Sequence, residues 1–151
     1  MMTAPARTDA PTVRPATGRA PSTRWVGRLL EALEVVVGLS GLAGGAYLMA
    51  RPTTAMPRRL LEGTGFSSWR LPGLALFVLV GLGPVLAVVA QRRGLPGARA
   101  GHLVVGVGLV AWIVVEMVWI VVTLPLQLTF AALGVVIAAL GVVRIRREPP
   151  G

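Results

Sequence analysis

Two glutamates buried in apolar sequence, Glu34 and Glu116, are where chemistry should be sought first. A carboxyl inside a membrane-length apolar run costs about 2 to 3 kcal/mol to insert and tends to mark function or a specific partner. Glu116 shares a helical face with Gly108, Trp112 and Trp119 and is expected about 6 Å beyond the midpoint of its run, at 1.5 Å per residue. Tyr47, Gln127 and Thr129 should fall at comparable depth, so a hydrogen-bonded cluster around Glu116 is expected. Two roles are open to it: a glutamate that holds helices together, or one that handles protons or a substrate. Glu34 should sit about 8 Å to the other side of its own helix centre, too far in depth to form an acid–base pair with Glu116. It is expected to pair with Arg28 or a loop arginine at the interface, while Glu31 pairs with Arg28 at i, i+3. The candidate functional residues within the spans are thus Glu116, Glu34, Trp112, Gln127 and Tyr47.

Other chemistries are poorly supplied. Without cysteine, disulfides, thiol redox chemistry and thiolate metal sites are excluded on this chain. His102 is the one histidine, at the inner end of the third apolar run, and Asp9 is the one aspartate, in the polar tail. No metal site, no cofactor and no enzymatic activity are expected from this set. Gly106-Val107-Gly108 lies inside an apolar run and so is not a nucleotide-binding loop.

The elements that must position these residues are long. Of 151 residues, 54% are hydrophobic and 14% charged, and the mean hydropathy is +0.74, too apolar for a water-soluble domain of this size. Four runs, 29–50, 71–90, 101–122 and 126–143, are each about long enough to cross a bilayer as helices. The alternation of a β-barrel is missing. The fold class expected is therefore all-α: a polytopic membrane protein with four transmembrane helices over 25–146, a disordered basic tail over 1–24 and a short tail over 147–151. Ten arginines (14, 19, 24, 28, 92, 93, 99, 144, 146 and 147) flank the spans on one side, against Arg51, Arg58, Arg59 and Arg70 on the other. By the positive-inside rule both termini should be cytoplasmic. The net charge of +9 is thereby explained by topology, with no nucleic-acid partner needed.

Small residues mark expected packing faces. Glu34, Gly38, Gly41 and Gly45 recur at steps of four, three and four, as do Gln127, Ala131, Gly134, Ala138 and Gly141, and such stripes let helix backbones approach closely in lipid. Leu42 should face away from the first stripe. Gly81-Leu82-Gly83-Pro84 should kink the second span, and Thr123-Leu124-Pro125 is so short that the last two spans must form an antiparallel hairpin. In the long loop after Pro52, Leu60, Leu61, Phe66 and Trp69 are expected as interfacial anchors.

Three stretches carry a resemblance: "LLEGTGFSSWRLPGLALFVLVGLG" from Leu60, "AWIVVEMVWI" from Ala111 and "LQLTFAALG" from Leu126. They resemble a widespread family of small four-helix bacterial membrane proteins with no assigned activity. The matching features are the Glu-Gly-x-x-Phe loop (Glu62, Gly63, Phe66), the following helix start (Leu71, Pro72, Gly73), a third-helix Trp-Ile-x-x-Glu (Trp112, Ile113, Glu116) and a fourth-helix Leu-Gln (Leu126, Gln127). Phe130 stands where relatives often carry tyrosine, which removes a hydroxyl. The resemblance implies a multi-pass protein of the bacterial inner membrane. The leading expectation is a structural or accessory membrane subunit, with the lipid bilayer and a homo-oligomer or membrane-protein partner around it. The alternative is a small transporter or proton-coupled carrier that uses its intramembrane glutamates.

Overall fold

A computed structural model describes residues 22–119 and 125–147. Residues 1–21 of the expected disordered tail, with Asp9, Arg14 and Arg19, the end of the third span, the tight link at Thr123-Leu124 and the final residues lie outside the described residues, whereas 22–24, expected in that tail, are helical and open the first helix. The described chain is all-helical, and four helices are long and apolar enough to cross a membrane. They are α1 (Ser22–Ala50), α2 (Arg70–Arg92), α3 (Ala98–Trp119) and α4 (Pro125–Arg147). Successive helices run in opposite directions. One end of the bundle gathers Arg28, Arg92, Arg93, Arg99, Arg144, Arg146 and Arg147 and is called the basic end. The other, formed around residues 51–69, is called the loop end.

Close backbone contact builds two hairpins, α1 with α2 and α3 with α4. A Cβ placed on Gly41 would lie 2.6 Å from the backbone nitrogen of Gly81, and one on Gly45 would lie 2.6 Å from the carbonyl oxygen of Gly73. Gly38 faces Val85 and the Gly81 carbonyl in the same way. In the second hairpin Gly134 rests against Val110 and the Gly106 carbonyl, and Gly141 against the backbone of Leu103. Gly106 itself has no room for a side chain against Ala138. Backbone proximity of this kind supplies dispersion contact between the helices. Leu42 does not face away as its phase implied: its side chain fills the space over Gly81. The gap left by a glycine on α2 pulls a residue flanking the α1 stripe into the same interface.

The second span is interrupted, though more gently than a sharp break. Residues Leu76–Leu82 form a π-helix between two α-helical pieces, and the Gly83 N–H reaches the Val78 carbonyl, a five-residue step. Pro84 has no N–H, and in regular α geometry its ring would press on the carbonyl of Val80. The wider turn absorbs that conflict.

The two hairpins meet over a core drawn from all four helices: Leu30 and Val37, Val80, Leu109, and Ile137. Contact between hairpins is concentrated toward the basic end, where Gly83–Arg92 packs on α3, and becomes sparse along Leu76–Leu82. The bundle therefore splays toward the loop end. Over that end the segment 51–69 folds inward, with a 3-10 turn at Arg58–Leu61. Leu61 and Trp69 are buried against Leu48, and the Trp69 indole N–H donates to the Met56 carbonyl at 3.2 Å. These two are thus not interfacial anchors, as their types implied, but a second small core; Leu60 and Phe66 pack against it half-buried. Gly63 and Gly65 adopt φ of +81° and +75°, which lets the chain turn back at a position where a side chain would be strained.

Candidate functional site

The polar side chains form two groups, one at each end. At the basic end Glu34 and His102 are both completely buried. The His102 Nδ1 lies 2.8 and 2.9 Å from the two Glu34 carboxyl oxygens, and its Nε2 lies 3.4 Å from Nη1 of Arg144. A guanidinium can only donate, so Nε2 is the acceptor and the ring proton sits on Nδ1, directed at Glu34. The result is a carboxylate, imidazole and guanidinium chain that joins α1, α3 and α4. Its geometry overturns the expectation that Glu34 pairs with Arg28 or a loop arginine. The local i, i+3 pairing of Glu31 with Arg28 also gives way to a longer-range contact, with Arg92 of α2 at 3.3 Å from Glu31. Sequence reasoning had both depths available, since Glu34 and His102 each fall on the basic side of their spans. No spacing within either helix marks the two as partners, and the residue types alone point His102 only toward a metal. Among the described residues no group of three or more metal-ligating side chains exists.

At the loop end the splayed hairpins enclose a cavity of about 900 Å³. Its walls come from α1 (Ser40, Gly44), α2 (Ala75, Leu79), α3 and α4, and its ceiling from Leu60 and Phe66 of the inward-folded loop. The Phe66 ring meets the Trp119 ring edge-on, 5.3 Å between centroids at 65°, so the loop is pinned to the end of α3. Several wall residues, Leu71, Leu79 and Leu126 among them, are also exposed on the outer surface of the bundle, which places the mouth of the cavity on its side.

Among the described residues, Glu116 is the one acidic side chain on this wall and no basic side chain lines it. The Trp112 indole N–H donates to its Oε1 at 2.8 Å, and Gln127, itself buried on α4, makes a second side-chain hydrogen bond to it. Of the candidate residues the structure brings Glu116, Trp112 and Gln127 into direct contact. Tyr47 shares the cavity but points outward, half exposed, with the Arg51 guanidinium 5.4 Å from its ring centre. Thr129 does not join the cluster; its hydroxyl donates to the Pro125 carbonyl one turn back. Glu34 stands apart, at the basic end.

The carboxyl is thus held by two donors on a water-poor, aromatic-rich surface, open sideways to whatever surrounds the helices. Such a wall can accept a hydrogen bond or a positive charge while burying an apolar body. Compared with family models, with curated proteins and with solved structures, the chain matches none.

Proposed function

We propose that this protein is a non-enzymatic, multi-pass protein of the bacterial inner membrane that takes a lipophilic molecule from the bilayer into the cavity between its two hairpins. The observation that supports this reading is the cavity itself: about 900 Å³, almost wholly apolar, open at the side and carrying a single hydrogen-bonded carboxyl. Such a volume lies in the range that holds a small ligand. The carrier reading therefore ranks above a purely structural one. The exposed rim of Leu71, Leu79 and Leu126 favours a second reading, an accessory subunit whose cavity mouth receives an apolar helix of a partner. The resemblance to small four-helix bacterial membrane proteins supports the same class and location.

The gathering of arginines at the basic end supports a cytoplasmic position for that end and for both termini. Reporters that work only in the cytoplasm should be active when inserted near Gly94 and silent near Thr54; the reverse pattern would overturn this orientation.

Cavity occupancy is tested by photolabelling in lipid vesicles with a neutral alkyl chain bearing a diazirine. Cavity positions such as Trp112 and Phe130 should be labelled well above the outward-facing Val104 and Val135, and Ala75→Trp, which fills the space, should abolish the excess. Uniform labelling, unchanged in Ala75→Trp, would sink the proposal. A stoichiometric membrane protein recovered in mild detergent, which blocks the labelling, would establish the accessory reading instead.

A further inference from the structure

The chemical class of the guest follows from how the charged and aromatic groups are distributed around this cavity, an argument that rests on the cavity reading above. Six of the eight aromatic side chains of the whole sequence line it: Tyr47, Phe66, Trp69, Trp112, Trp119 and Phe130. An aromatic face carries negative electrostatic potential and attracts cations, most strongly where water is excluded. The one acid among the described wall residues, Glu116, offers a carboxyl that can carry charge of the same sign, and no arginine is among those wall residues. An anionic headgroup would thus meet a carboxyl and aromatic rings, with Arg51 at the rim rather than on the wall. A positive one would be matched from several sides.

The aliphatic hydroxyls on the wall do not compete for this role. Ser40 donates to the Val36 carbonyl at 2.8 Å and Thr64 to the Leu61 carbonyl at 2.7 Å, so both are engaged with the backbone. At the rim the cation preference is already in use, since Arg51 stacks over the outer part of the aromatic lining at Tyr47. Trp112 and Gln127, for their part, hold the Glu116 carboxyl in place from α3 and α4.

We propose that the cavity binds lipophilic organic cations, molecules with an apolar chain or ring system and an amine or quaternary ammonium group that settles beside Glu116 among the aromatic rings.

The test is a competition in neutral phosphatidylcholine vesicles against the same photoactivatable alkyl probe, using dodecyltrimethylammonium, dodecanol and dodecanoate, each normalised for its own partition into protein-free vesicles. The ammonium compound should compete on the order of tenfold more strongly than the alcohol, and the carboxylate least, a difference in keeping with one desolvated charge and ring contact. Glu116→Gln keeps the size and hydrogen-bonding capacity of the side chain. It should retain photolabelling by the neutral probe while losing most of the preference for the cation. Equal competition by all three compounds, or a cation preference that survives in Glu116→Gln, would overturn the proposal while leaving the cavity reading intact. Absence of cavity labelling by the neutral probe in the wild-type protein would remove the cavity reading and the cation site together.

Discussion

The two glutamates of the apolar helices sit in opposite surroundings. Glu34 has no exposed surface, and its carboxyl is met by His102, which in turn faces Arg144, so three helices close around it. Glu116 is held by Trp112 from its own helix and Gln127 from the neighbouring one, and it faces open space. The first carboxyl is spent on joining helices. The second is positioned but left accessible, and that difference, rather than depth or residue type, is what supports the proposed binding role of Glu116.

The comparison can be broken by making the same substitution at both places. Glu34→Leu would leave the completely buried Nδ1–H of His102 with no acceptor and should destabilise the protein by about 3 kcal/mol. Glu116→Leu strands only one indole N–H and one amide beside a cavity, and should cost about 1 to 3 kcal/mol, with Glu116→Gln close to wild type. Thermal unfolding in detergent, followed by circular dichroism, measures all three. If Glu116→Leu proved the more damaging, the roles assigned to the two ends would be exchanged.

The smallest expected effect sharpens the description of the cavity ceiling. Phe66→Ala removes the edge-on contact with Trp119, worth about 0.5 to 1.5 kcal/mol beyond simple burial. Its clearer signature should be faster exchange of backbone amides along 60–66 than in wild type, with 30–37 of α1 unaffected. Equal change in both segments would mean that the loop and the helical core open as one unit.

Much of the bundle was legible in the sequence because the controlling physics is local. Four apolar runs of membrane length dictate four helices, and glycine at steps of three and four dictates where backbones can touch, as Gly41, Gly45 and Gly134 do. The contact of Trp112 with Glu116 is likewise local, one turn along a single helix. What escaped was set by the relative rotation and depth of separate helices. The Glu34, His102 and Arg144 chain needs three helices in register, and no spacing within one of them encodes it. The same holds for Glu31, where a cross-helix arginine replaced the neighbour that the i, i+3 rule singled out. Trp69 and Leu61 were misread because a large apolar residue in a loop at a membrane boundary has two outlets, the interface or an inward core. Here the turns at Gly63 and Gly65 accompany the inward one.

The joint at the basic end also has a consequence for biosynthesis. Its three members lie far apart along the chain: 110 residues separate Glu34 from Arg144. At roughly 5 to 20 residues per second of translation, about 5 to 20 s pass between the synthesis of the carboxylate and that of the guanidinium that completes the chain. During that interval the nascent first hairpin holds an acid whose partners have not been made. Glycine contact can zip α1 to α2 at once, but the basic end closes only when α4 arrives. A half-made chain therefore differs from the finished bundle at one defined place, the Glu34 carboxyl that has yet to receive its full set of neighbours.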